Sequence, residues 1–204
     1  MAIMIKSMKN QNKVWNNIAE KWSNFRQKPE KKAVELSELW TPGKILDIGC
    51  GNCRNLLPFK KFDCYGVDFS ENMIKEAKKF VSKNNIKVNL KVGNVTKLPF
   101  KDQSFDYILC FSMLHHLKDP EKGIKEINRV LKIGGRAYIS IWNKIQLKFL
   151  FRGKETYVKF GNEERYYHFI SFFGMRKLLN DYNLNILDSK MFGKNLEFLV
   201  ERKA

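Results

Sequence analysis

Lys44-Ile-Leu-Asp-Ile-Gly-Cys-Gly-Asn52 runs an apolar strand straight into a glycine-rich turn. A second apolar segment, Tyr65-Gly-Val67, ends on Asp68. Strand, glycine turn and acidic strand end, in that order, build a cradle for a nucleoside. Gly49 and Gly51 carry no Cβ, so the backbone can turn tightly and come close to a ligand. Asp68 stands 19 residues beyond Gly49, where a carboxylate on the next strand tip accepts hydrogen bonds from ribose hydroxyls. A dinucleotide site would need a third glycine where this chain has Arg54. The motif reads Asp47-x-Gly49-x-Gly51 instead.

Outward from this turn, apolar runs and helical periodicities alternate. Strands are predicted at 44–48, 63–67, 87–92, 105–111 and 136–142, with helices near 52–59, 70–84 and 120–131. Ser70 is a plausible helix cap, and Asp119-Pro120 opens the third of these helices. Such alternation implies a parallel sheet with helices on both faces. Before it, residues 10–39 form a helical prelude: Val14, Trp15, Ile18, Ala19 and Trp22 recur at helical spacing, and a second helix follows Pro29. After it, a basic and aromatic segment at 143–169 precedes a helix at 171–182 and strands at 184–192 and 195–201. Gly193-Lys194 suits the turn between the last two strands.

The 204 residues fit one domain, residues 1–204, with 44% hydrophobic and 13% aromatic residues, so wholesale disorder is not expected. No apolar run approaches the ~20 residues that span a bilayer, and Met1–Met8 lacks a convincing cleavage signal. A cytoplasmic protein with no membrane segment is expected. Cys50, Cys53, Cys64 and Cys110 read as small buried or loop residues, since no second ligand pair accompanies Cys50-x-x-Cys53; no metal site is expected. The 38 Lys and Arg against 21 Asp and Glu give a formal charge of +17. A field of that size favours a polyanionic partner, although a lysine-rich surface alone would produce the same number.

The glycine turn together with Asp68, Gly93-Asn94-Val95, Leu98-Pro99-Phe100, Ser104-Phe105-Asp106 and Gly134-Gly135 resembles the class I S-adenosylmethionine-dependent methyltransferases. That resemblance implies a Rossmann-like α/β fold. Its sheet has seven mostly parallel strands, with an antiparallel C-terminal strand. It implies S-adenosylmethionine as cofactor, held by Asp47, Gly49, Cys50, Gly51, Asn52, Asp68, Phe69, Asn94 and Val95. Two positions depart from the pattern. Cys53 replaces the third small residue of the first motif, and Asn94 replaces an aspartate that usually approaches the adenine amino group. Gly134-Gly135 reads as an αβ turn needing positive φ, a feature of the fold rather than of the site.

Less common segments bear on the acceptor. Val14-Trp-Asn-Asn-Ile-Ala19, Trp22-Ser-Asn-Phe-Arg-Gln-Lys-Pro29, Gly51-Asn-x-Arg-Asn55, Ser112-Met-Leu-His-His-Leu117 and Arg165-Tyr-Tyr-His-Phe169 resemble the wobble-uridine tRNA methyltransferases. Those enzymes esterify the carboxylate of 5-carboxymethyluridine in the anticodon. The resemblance implies acceptor-side roles for Arg26, His116, Arg165 and His168. A carboxylate is ionised at neutral pH, its pKa being near ~4, so it needs orientation rather than a base. Arginine grips such a planar oxyanion, and a histidine can add a donor. Tyr166 or Trp142 could stack the splayed base, and Lys144, Lys148, Arg152, Lys154 and Lys159 could line the path of an anticodon stem-loop. The same resemblance implies a small zinc-ribbon activator subunit docking on the edge strand at 87–92, though alternating Lys and Asn there could equally keep that edge unpaired. Two other readings stay open on sequence: a methyltransferase acting on a quinone-like small molecule, and a non-catalytic methyltransferase-like tRNA-binding subunit.

Overall fold

The computed structural model describes residues 11–146, 149 and 152–204; the predicted helix start at residue 10, Met1–Met8 and the candidate cation Lys148 lie outside that range. Strands β1 (Lys44–Ile48), β2 (Asp63–Asp68), β3 (Val88–Val92), β4 (Phe105–Phe111), β5 (Leu131–Trp142), β8 (Leu184–Lys190) and β9 (Asn195–Arg202) form one sheet in the order β3-β2-β1-β4-β5-β9-β8. The first five pair in parallel, and β9 runs antiparallel to both β5 and β8. The central strands read as nearly unbroken apolar runs because both faces are covered. Helices α2 (Lys31–Leu39) and α3 (Glu71–Lys83) bury Ala33, Leu36, Ile74 and Ala77 on one face. Helices α4 (Pro120–Val130) and α5 (Phe172–Asp181) bury Ile124, Ile127, Met175 and Leu179 on the other.

Local chemistry sets the boundaries. The Ser70 hydroxyl accepts from Met73 N at 3.0 Å and starts α3, while Ser171 caps α5 through Gly174 N. Pro120 occupies the first turn of α4, where its missing N–H costs nothing. Helix α1 (Gln11–Phe25) lies across the carboxyl ends of the strands and buries Ile18 and Ala19 against Met73 of α3.

Three expectations need correcting. The helix predicted near 52–59 shrinks to a single 3₁₀ turn at Arg54–Leu56. Cys53 enters it with a left-handed backbone (φ 66°) that an α-helix does not accommodate, and Pro58, lacking an N–H, cannot continue the turn's hydrogen bonds. Strand β5 begins at Leu131 rather than 136. Gly134 and Gly135 therefore sit inside the strand, where the pairing jumps from Phe105–Leu131 to Tyr107–Arg136. The segment at 143–169 also contains regular structure that was not foreseen. Strands β6 (Glu155–Phe160) and β7 (Glu163–His168) form a separate antiparallel hairpin turning at Gly161. β3 is an edge of the large sheet, as expected, with Val92 half exposed.

Candidate functional site

A cavity of about 270 Å³ opens at the carboxyl ends of the parallel strands, where open α/β sheets place their ligands. Its two ends differ in construction. At the first, Gly49 N and Cys50 N donate to Val67 O at 2.8 and 3.0 Å, locking the glycine turn to β2. Asp68 continues the lock: Oδ2 accepts from Gly51 N and Oδ1 from Ser70 N, each at 3.0 Å. Burial pushes the Asp68 carboxyl up to about 6, against the pull of these backbone donors. Both glycines have positive φ. Their bareness serves neighbours as well as any ligand, since a Cβ at Gly49 would overlap the Met113 side chain and one at Gly51 the Trp22 ring.

Beneath the turn, Asp47 is fully buried, its Oδ2 meets no partner, and burial pushes its pKa up to about 8. At neutral pH it is mostly a neutral acid. Cys53 takes the left-handed conformation that the glycine it replaces would adopt freely, and its Sγ packs near Cys50 Sγ and Gly66.

The residues after the turn tie this end to the second. Asn52 Nδ2 donates to Arg26 O at 2.7 Å and to Ser23 Oγ at 3.2 Å. Arg54 donates to Lys28 O and pairs with Glu30 at 2.6 Å, while Asn55 Oδ1 accepts from Glu30 N at 3.0 Å. The Gly51–Asn55 motif and the Trp22–Pro29 motif are therefore two halves of one buried junction. It holds Arg26 at the cavity wall.

The second end is built by α1, the 3₁₀ turn Leu114–His116, the end of β5 and the hairpin. Side chains alternate along β7, so Arg165 and Tyr167 face the cavity while Tyr166 and His168 do not. Arg165 lies among the rings of Trp15, Phe160 and Tyr167, with its guanidinium carbon 5.2–5.8 Å from their centroids. It is 8% exposed, its Nε has no hydrogen-bond partner, and no carboxylate among the described residues lies within ion-pair distance. Burial lowers its pKa. The Tyr167 hydroxyl and His115 Nε2 are likewise buried without partners. His116 Nδ1 lies 2.8 Å from Tyr166 O, and burial holds its pKa down to about 3, so the ring is neutral.

Of the residues singled out from sequence, Arg26, Gly49, Cys50, Gly51, Asp68, Phe69, Asn94, Val95, His116 and Arg165 line this one cavity. Asp47, Asn52 and His168 do not. Asp47 lies under the turn, Asn52 spends its amide on the junction, and His168 falls on the far side of β7. Asn94 lines the cavity, but its Oδ1 accepts from Thr96 N and Oγ1 within its own turn. The Nδ1 proton of His116 goes to a carbonyl, so its Nε2 is an acceptor rather than the expected extra donor. Tyr167, His115, Trp15 and Trp22 join the wall without having been assigned there. Strand alternation from Arg165 would have found Tyr167.

Comparison with known proteins agrees with this layout. A family profile described as a methyltransferase domain matches residues 46–139. A putative methyltransferase of Encephalitozoon cuniculi is 30% identical over 172 residues, 78% of each chain. A demethylmenaquinone methyltransferase of Staphylococcus carnosus is 30% identical over 161 residues, 72% of this chain and 66% of that one. The tRNA (carboxymethyluridine(34)-5-O)-methyltransferase of Saccharomyces cerevisiae is 31% identical over 134 residues, 64% of this chain and 47% of that protein. This chain thus spans between 47% and 78% of those relatives' lengths. Among solved structures, the Haloferax volcanii putative methyltransferase, in complex with the Trm112 methyltransferase activator, superposes with TM-score 0.71 at 15% identity, covering 97% of this chain and 98% of that one. A Burkholderia thailandensis 1,6-didemethyltoxoflavin-N1-methyltransferase with bound S-adenosylhomocysteine gives TM-score 0.73 at 17% identity, covering 95% and 87%.

The residues present fit S-adenosylmethionine. A turn bare of Cβ atoms, a buried carboxylate at the tip of β2 and an apolar wall of Phe69, Met73 and Val95 meet in one cavity. Gly49, Gly51 and Asp68 would hold its amino-acid end and ribose, and the apolar wall its base. With the fold, the site and the relatives in agreement, the chain belongs to the class I S-adenosylmethionine-dependent methyltransferases.

Proposed function

We propose that the methyl acceptor is a carboxylate, that of a 5-carboxymethyluridine at the wobble position of tRNA, and that the product is its methyl ester. The observation that carries this reading is Arg165. A guanidinium buried without an anion is costly, because desolvation is not repaid by a partner. An anionic ligand in the cavity supplies that partner, and Arg26 lines the same cavity. The bound cofactor supplies an activated methyl group, so the chain need only orient the nucleophile. A carboxylate is ionised already and needs no base, in keeping with two histidines held neutral.

The tRNA part of the reading draws on the similarity to the yeast tRNA enzyme, on the +17 charge and on three exposed cations, Arg152 and Lys154 just before the hairpin and Lys159 on it. The likeness to the Haloferax protein solved with its activator supports a small zinc-ribbon partner, for which the edge strand β3 is the proposed dock. A second reading, a quinone-like acceptor, is favoured by the similarity to the demethylmenaquinone enzyme.

One experiment separates the two. The protein, with and without a zinc-ribbon activator, is incubated with labelled cofactor and either hypomodified tRNA or a demethylquinone, and the products are identified by mass spectrometry. A methyl ester on the wobble nucleoside is expected. Label confined to the quinone would reject the carboxylate assignment and leave the family intact.

A further inference from the structure

Two adjacent histidines at the end of β4 are locked in opposite tautomers. The Trp142 backbone N–H donates to His115 Nδ1 at 3.2 Å. A backbone N–H can only donate, so His115 Nδ1 holds the lone pair and Nε2 holds the proton. His116 shows the reverse. Its Nδ1 lies 2.8 Å from the Tyr166 carbonyl oxygen, which can only accept, so Nδ1 carries the proton and Nε2 the lone pair. Burial disfavours the charged form of both rings, with the nearby Arg165 adding to the effect.

Both rings line the cavity, with centroids 4.5 Å apart and planes at 53°. His115 is 1% exposed, and its Nε2 finds no acceptor in the protein. Tyr167 stacks on it at 5.1 Å and 12°, which fixes the ring plane. A buried donor left without a partner keeps the full cost of its desolvation, a cost that a ligand bearing the complementary acceptor removes. The wall of the cavity therefore holds one N–H donor and one nitrogen acceptor on neighbouring residues, beside Arg165 with its unpaired Nε.

We infer that His115 and His116 read a –C(=O)–NH– edge of the methyl acceptor, with His115 Nε2–H donating to the carbonyl oxygen and His116 Nε2 accepting from the ring N–H. This rests on the reading of the acceptor as an anion held at Arg165, and it names the rest of that molecule: a lactam or imide heterocycle such as a uracil. A quinone has the carbonyl and lacks the N–H. A site built to pair a substrate N–H rejects an analogue lacking it far more strongly than an apolar pocket rejects a misfit methylene.

The test uses the full chain saturated with S-adenosylhomocysteine and labelled with ¹⁵N-histidine. Free protein at pH 7 should show one buried histidine protonated only at Nε2 and the other only at Nδ1. The probes are the nucleosides 5-carboxymethyluridine, its N3-methyl derivative and uridine. Binding of 5-carboxymethyluridine should shift the His115 Nε2–H resonance, and N3-methylation should weaken binding at least tenfold. His116→Phe, which keeps a ring and removes the acceptor, should narrow that discrimination to less than threefold. The inference is overturned by a charged ring or the opposite tautomer at either position. Equal affinity for the N3-methyl derivative, or no binding of any probe at millimolar concentration, overturns it as well. Failure of the anionic-acceptor reading looks different: uridine then binds as tightly as 5-carboxymethyluridine, and Arg165→Ala changes neither.

Discussion

The two ends of the cavity treat their polar groups in opposite ways. At the glycine turn, both oxygens of Asp68 are already taken by backbone donors, and the turn is pinned to Val67 O. At the hairpin end, Arg165 Nε, the Tyr167 hydroxyl, His115 Nε2 and Asn195 Oδ1 are buried with nothing to pair with. Native proteins leave few buried polar atoms unsatisfied, and several around one cavity mark where an outside partner belongs. Around Asp68 the polar groups are thus finished by the protein itself, Asp47 beneath the turn excepted, whereas on the reading proposed above the hairpin end is finished by the substrate.

The largest effects come from removing the two anchors of this contrast. Asp68→Ala should weaken S-adenosylhomocysteine binding by about 100-fold or more in calorimetry, since charge-assisted hydrogen bonds to hydroxyls contribute roughly 1.5–3 kcal/mol each. An unchanged affinity would move the cofactor away from β2. Arg165→Met should lower kcat/KM for the acceptor by about 100-fold, equivalent to about 2.7 kcal/mol, with cofactor affinity within twofold. The same variant should melt no lower than the parent, because it removes an uncompensated buried charge. A clear drop in melting temperature would mean that Arg165 is paired by the fold and not waiting for a ligand.

The junction between the two ends sharpens the comparison. Asn52→Ala removes the bonds to Ser23 and Arg26 and should cost about 1–3 kcal/mol of stability. It should also lower turnover by about tenfold, roughly 1.4 kcal/mol, through a misplaced Arg26. In an Arg26→Ala background the turnover loss should vanish while the stability loss persists. Persistence of both would make Asn52 purely structural.

The smallest predicted effect concerns Asp47. Its native carboxyl titrates at about 8 against an unfolded value near ~3.9, so the native state binds more protons between those limits. Stability must therefore fall as pH rises through that window. Asp47→Asn should flatten the slope and melt higher than the parent at pH 8. Parallel melting curves across pH 4–8 would show that Asp47 is ionised in the fold.

Much of the cofactor end was legible in the sequence because its parts are local: a strand, two glycines and an acidic strand tip within 25 residues. Alternating strands and helices likewise implied the parallel sheet, and the family resemblance its antiparallel last strand. The acceptor end draws on segments more than 100 residues apart, Arg26 on the loop after α1 and Arg165 on β7, and only the fold brings them together. His168 was misplaced because the hairpin was not foreseen, so the two-residue alternation of β7 could not be applied. Asn52 was misplaced because its proximity to the glycines hid a side chain directed away from the ligand. Nothing in the sequence announced the opposite tautomers of His115 and His116, which depend on two backbone groups from distant strands.

The most direct test of a carboxylate acceptor is the alkali lability of the transferred group. RNA carrying unesterified carboxymethyluridine is incubated with methyl-labelled cofactor and the protein, with and without a zinc-ribbon activator, repurified and exposed to mild base. A methyl ester releases its label as volatile methanol, the result predicted here. Label that stays on the nucleoside through that treatment would place the methyl on nitrogen, carbon or an ether oxygen and contradict the role given to Arg165.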